Sequence, residues 1–159
     1  MNKSAKNKTN AQRLLEQAGI PYGTYEYEVD ENNLSGEHAA AQIGVPPEQV
    51  FKTLVARGKE IYVFCIPVKE ELNLKKAALV TGEKKIEMVH QKDLLGMTGY
   101  IRGGCSPVGM KKKYPTFMDE TAQLFDTVIV SAGVRGLQME VEPGALMNFV
   151  QGTFADLTE

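Results

Sequence analysis

The chain has 159 residues, 43% hydrophobic and 24% charged, a balance that suits one globular domain with a real core and excludes a fibrous or disordered chain. Its formal net charge of −2 excludes a wholesale basic coat for nucleic acid, although lysines cluster at Lys75 and Lys76, Lys84 and Lys85, and Lys111 to Lys113. Two cysteines, Cys65 and Cys105, make no disulfide framework, no leader precedes the fold and no apolar run is long enough to span a bilayer, so a reduced, cytoplasmic protein without membrane contact is expected.

In chain order, residues 1–9 are polar and lysine-bearing and read as a flexible tail, leaving 10–159 as the folded domain. Asn10 is placed to cap a first helix, AQRLLEQA, which Gly19 ends. YGTYEYEV then alternates, with Tyr25, Tyr27 and Val29 on one face of a half-buried strand. Ser35 caps a short helix, EHAAAQI, that closes at Gly44. VFKTLVAR and IYVFCIPV, separated by a break at Gly58, form a hairpin. Asn73 caps LKKAALV, which stops at Gly82. KIEMV is a short strand and HQKDLLGM a short helix. YPTFMD, TVIVSAG and LQMEVE are three further strands, the last two joined across GVRG. Pro143 opens a final helix, GALMNFVQ, after which FADL either packs or frays. Hairpins and helices are interspersed without a strand-helix-strand rhythm. The expected class is therefore α+β, one mixed and partly antiparallel sheet flanked by helices.

The stretch GYIRGGCSPVGMKKKY (99–114) carries the most chemical information. Its four glycines let main-chain N–H groups approach an anion or a developing oxyanion, and three lysines follow directly. A surface turn with a solvated lysine run explains the same letters. Lys52 is the oddest single residue, since alternation puts it between Val50 and Leu54 on one strand face. Either its stem lies on apolar surface with the ammonium in water, or the ammonium binds an anion or carbonyl at a pocket mouth. Cys105 has no partner base in any recognisable motif; His38 falls in an alanine-rich helix and His90 at a helix start. Ser106 precedes Pro107 and lacks the setting of a hydrolase elbow, so turn hydrogen bonding is its expected job. No histidine or cysteine spacing suits a metal. A glycine-lined pocket with a nearby lysine, and no protein nucleophile, is as far as these residues lead.

Taken together, FKTL (51–54), GYIRGGCSPVGMKK (99–112) and VSAGVRGLQMEV (130–141) resemble the YbaK/EbsC family, which contains aminoacyl-tRNA deacylases related to the editing domain of bacterial prolyl-tRNA synthetases. The resemblance runs from the first helix to the terminal FADL. It implies a barrel-like core and trans-editing hydrolysis of mischarged tRNA, closest to Cys-tRNA(Pro) or Cys-tRNA(Cys). An Ala-tRNA(Pro) deacylase and a non-catalytic tRNA- or nucleotide-binding module are the alternatives. Lys52 matches the family's essential lysine, Thr53 the hydroxyl residue beside it, and Tyr27 a tyrosine near the substrate end. Gly103, Gly104, Ser106, Pro107 and Gly109 match the pocket loop, and Ser131 and Gly133 the second pocket strand and its turn. On this reading Lys52, Gly103 and Gly104 are catalytic, the two glycines as oxyanion donors. No cofactor or metal is implied. The expected partners are the aminoacyl-tRNA 3′ end and, transiently, prolyl-tRNA synthetase. ENNLS (31–35) lacks a phenylalanine near Ser35, and Gln138 stands where close relatives carry an acid. Both departures bear on amino-acid preference.

Overall fold

Helix α1 (Asn10–Gln17) starts on Thr9 rather than on the expected Asn10 cap. The Thr9 hydroxyl accepts from the Gln12 N–H while the Gln12 side chain accepts from the Thr9 N–H, so two orphan donors are satisfied at once. The computed structural model describes residues 8–159; residues 1–7 of the expected tail lie outside the described residues. Strand β1 (Gly23–Glu26) is shorter than alternation through Val29 suggests. Its partner β7 (Leu137–Val141) runs out opposite Glu26, and the Tyr27 N–H goes to the Gly136 carbonyl of the preceding turn.

Local signals placed most other elements correctly. Ser35 caps α2 (Gly36–Ile43), and Gly44 closes it in the left-handed region at φ +74°. Strands β2 (Phe51–Arg57) and β3 (Ile61–Pro67) form the expected hairpin. Asn73 caps α3 (Leu74–Thr81), and β4 (Glu87–Met88) and α4 (Gln91–Thr98) follow. Next come β5 (Thr116–Asp119), β6 (Val128–Val134), β7 and α5 (Pro143–Val150). FADL packs: β8 (Thr153–Ala155) lies parallel to β5, and the Leu157 N–H donates to the buried Asp119 carboxylate at 2.9 Å.

Among the described residues five α-helices accompany the strands, the expected mixed α+β class, but the strands divide into two sheets where a single sheet was expected. One sheet is antiparallel, ordered β1-β7-β6; the other is ordered β4-β2-β3-β5-β8, with β3, β5 and β8 parallel. The main core lies between the two sheets and under helices α1 and α5; Phe51, Val63, Cys65 and Met118 of the second sheet meet Val130 and Met139 of the first, with Leu15 and Leu146 from the helices. A second cluster holds Tyr62, Phe64 and Phe117, the last two stacked with ring centroids 5.6 Å apart.

How the two sheets meet positions everything that follows. Val50 and Ile129 form one isolated parallel bridge, with Ala40 and Val68 packed around it. Further along β2, the Val89 N–H bonds the Val55 carbonyl and hands the strand to the β4 side. The Val68 N–H bond to the Val50 carbonyl sets Val50, Lys52 and Leu54 facing β3. By alternation the main-chain groups of Thr53 face the opposite edge, in the interval between β6 and β4. That interval is the seam of the molecule.

Candidate active site

A cavity of about 520 Å³ opens in this seam, within the usual range for small-ligand pockets. Strand β2 contributes Lys52 and Thr53, and β6 and β7 contribute Ser131 and Gln138. Arg102, Gly103 and Cys105 line it from the glycine-rich loop, while Tyr27 and the start of α2 close another side. Gly36 lets α2 approach that closely, since a Cβ there would lie 2.2 Å from Val68 Cγ1.

The loop is held by close main-chain approaches. A Cβ on Gly104 would sit 3.0 Å from the Arg135 nitrogen and 3.1 Å from the Val134 carbonyl carbon, so the loop and the β6-β7 turn touch backbone to backbone. Gly103 has φ +87° and Gly109 φ +82°, conformations that favour glycine. Tyr100 clamps the assembly. Its hydroxyl donates to the Val108 carbonyl at 2.5 Å, and a Cβ on Gly133 would meet its ring at 3.0 Å.

Of the residues singled out from the sequence, Tyr27, Lys52, Thr53, Gly103 and Ser131 converge on the cavity. Gly104, Ser106, Pro107, Gly109 and Gly133 are not in its wall; they shape the loop and the turn behind it. Ser106 is fully buried, and its hydroxyl accepts from the Val108 N–H at 3.2 Å, the turn role expected of it. The Gly104 N–H is spent on the Ile101 carbonyl at 3.0 Å. It is therefore not directed at an oxyanion in the cavity, unlike the expectation. Sequence reasoning passed over Tyr100, and saw in Gln138 a departure rather than a wall residue. An aromatic spaced among glycines was the available signal for the first.

Lys52 lies where solvent meets the pocket. Its side chain is 28% exposed, and its Nζ stands 3.5 Å from Glu71 Oε2, on a carboxylate side chain 92% exposed. The ammonium is thus neither buried nor locked, and an incoming phosphate or carbonyl can compete for it.

Cys105 lines the pocket yet is a poor nucleophile. Burial pushes its thiol up to about 12, only partly offset by a hydrogen bond from the Thr98 side chain. The thiolate is the reactive form, so at neutral pH almost none is present. Cys105→Ala is expected to retain ester hydrolysis within about threefold, because removing a small buried group alters packing rather than chemistry. A folded but inactive variant, measured by single-turnover amino-acid release, would overturn that assignment. Burial raises Cys65 to about 12 as well. No cluster of three or more His, Cys, Asp or Glu side chains able to hold a metal occurs among the described residues.

The pattern of the aminoacyl-tRNA editing domain matches residues 30–149, most of the chain. The chain belongs to this family. It is 48% identical over 98% of its length, and 96% of the relative's, to an Enterococcus faecalis protein provisionally named Cys-tRNA(Pro)/Cys-tRNA(Cys) deacylase EbsC. It is 27% identical over 62% of its length to a proline–tRNA ligase of Cupriavidus necator, where the match covers 18% of the ligase. The solved structure of a candidate trans-editing enzyme for prolyl-tRNA synthetase superposes with a TM-score of 0.81 at 25% identity, covering 100% of this chain and 99% of the other. As an editing domain it is an enzyme of the aminoacyl-ester hydrolase class. No helix among the described residues is long and apolar enough to cross a membrane.

Proposed function

We propose that this protein clears mischarged tRNA by hydrolysing the aminoacyl ester, with Cys-tRNA(Pro) as the principal substrate and Cys-tRNA(Cys) as a second. The observation that carries this reading is a cavity into which the glycine-rich loop brings Gly103, with Lys52 at its entrance held, among the described residues, only by the exposed Glu71 and no activated protein nucleophile within. Such a site positions and stabilises but does not attack. An aminoacyl ester is already activated, so this modest assistance suffices.

In the mechanism, Lys52 Nζ holds the phosphate or ester of the terminal adenosine and fixes its approach, a contribution of orientation. The main chain at Gly103 donates to the oxygen that becomes negative in the tetrahedral state; one such donor is worth about 2.7–4 kcal/mol. The substrate's own thiol is the attacking group. With an ordinary pKa near ~8.5 it is partly ionised at neutral pH, unlike the buried Cys105. Its sulfur bonds to the carbonyl carbon, the ester C–O bond breaks, and the tRNA oxygen leaves with a proton. Water then opens the cyclic thioester. Tyr27, Thr53 and Ser131 line the path of the acyl group.

Editing after synthesis is useful because a pocket built for proline rejects a similar-sized side chain poorly by binding alone, by only ~10–200-fold for one methylene. Selection of the tRNA itself is supplied, on this reading, by transient docking with prolyl-tRNA synthetase. The test is release of labelled amino acid from Cys-tRNA(Pro), Ala-tRNA(Pro) and Pro-tRNA(Pro). Rapid loss of cysteine with proline retained is the expected result. Loss of alanine instead would reassign the substrate, and survival of all three esters would end the deacylase reading in favour of a tRNA-binding module.

A further inference from the structure

The closed end of the cavity holds one polar atom that the protein leaves unanswered. Gln138 is 7% exposed, lines the cavity, and its Oε1 is the buried side-chain oxygen or nitrogen with no hydrogen-bond partner among the described residues. An orphaned buried acceptor costs ~1–3 kcal/mol, so its persistence points to a ligand that supplies the missing donor. Its position is not accidental. Gln138 sits on β7 between Tyr25 of β1 and Ser131 of β6, and cross-strand neighbours share a face. That face is turned toward α2 and β2, so the amide looks across the seam.

We infer that Gln138 recognises the α-amino group of the bound aminoacyl ester. This rests on the deacylase reading and adds to it the group that the inner wall selects. The cavity is graded in depth: Lys52 and Glu71 stand at the solvent side, Gln138 at the closed side. The ester must reach outward to the tRNA, which leaves the amino-acid end facing Gln138. There the carbonyl and ester oxygens only accept, whereas the amino group carries up to three donors. Two other inner hydroxyls each have a protein contact, whereas the Gln138 oxygen has none among the described residues. The Ser131 hydroxyl accepts from the Gly133 N–H at 3.1 Å, and the Thr53 hydroxyl contacts Cys65 Sγ at 3.9 Å. The carboxylates of the lining, Glu37 and Glu71, are both exposed and lie at the rim, so the amide is the acceptor offered inside.

Two stable amides test this: adenosine bearing cysteine on a 3′-amino group, and the same compound bearing 3-mercaptopropionate, which lacks only the α-amine. The wild-type protein is expected to bind the first at least about tenfold more tightly by calorimetric titration, the scale of a hydrogen bond to a charged donor. Gln138→Met should bring that ratio close to one, and Gln138→Glu should preserve it. Meanwhile Gln138→Met should melt no lower than the wild type, because an unpartnered amide has been exchanged for an apolar group of similar length. An unchanged ratio in Gln138→Met overturns the inference, as does a variant that loses melting temperature and weakens both amides equally. Discrimination lost instead between cysteinyl and alanyl amides would assign Gln138 to the side chain and also overturn it. Because binding of stable amides is read separately from ester release, failure of the deacylase reading leaves a different record: normal discrimination with no hydrolysis of the three charged tRNAs.

Discussion

Lys52→Ala should lower the single-turnover rate of ester release by about a hundredfold or more, while the melting temperature stays nearly unchanged. The two halves of that expectation have separate causes. Lys52 stands near the start of β2 with its side chain half-buried at the pocket mouth, and its one ion pair among the described residues is with a carboxylate that is itself exposed. Exposed pairs of this kind add little to stability. Activity is different, because misplacing a reacting group by about an ångström can cost ~10²-fold. Lys52→Arg should recover part of the rate, since the charge is kept but its shape and reach change. Near-normal hydrolysis by Lys52→Ala would remove the lysine from the mechanism and leave the main chain of the loop as its sole polar assistance.

The second large effect is expected from a single methyl group at Gly104. Its Cβ would fall 3.0 Å from the Arg135 nitrogen and 3.1 Å from both the carbonyl carbon and Cα of Val134. Those are backbone atoms and cannot rotate aside. Either the loop or the β6-β7 turn must give way, at about 1–3 kcal/mol by analogy with overpacked interiors. In a domain of this size that is several degrees of melting temperature, roughly 2–4 °C per kcal/mol. Gly103 moves with the loop, so Gly104→Ala should lose hydrolysis as well as stability. Gly96→Ala is the matched control. It makes the same chemical change inside α4 with nothing within 4 Å, and should stabilise slightly through helix propensity. If Gly104→Ala melts and turns over like the wild type, the close approach is not what holds the loop.

Elements whose signals are local were legible without coordinates. Ser35, Asn73 and Pro143 mark helix starts, and Gly44 and Gly82 mark ends, because capping is decided within one turn. Thr9 was missed because Asn10 is an equally good cap by type; the choice rests on Gln12 standing three residues after Thr9. Strand β8 was not legible, since three residues form a strand only when β5 offers an edge to pair with. For the site, the motif residues form a contiguous string, but a loop presents its residues in turn to different sides. Gly103 and Cys105 face the cavity while Gly104 and Ser106 face inward. Gln138 carries no local mark at all. Its isolation follows from how two sheets meet, which no short stretch of sequence encodes.

That meeting has a thermodynamic consequence. The sheets share one bridge, Val50 to Ile129, and the cavity occupies the gap beyond it. Elsewhere the two sheets are joined through the core, where Phe51, Val63 and Met118 pack with Val130 and Met139, so a ligand held between β2 and β6-β7 adds contacts across the one stretch the core leaves open. Free energy of occupancy then becomes free energy of folding, about 2.7 kcal/mol at a hundredfold excess over the dissociation constant. Resistance to unfolding is therefore expected to rise with the concentration of whatever the cavity binds, an increase in melting temperature that a titration with a stable ligand analogue would read.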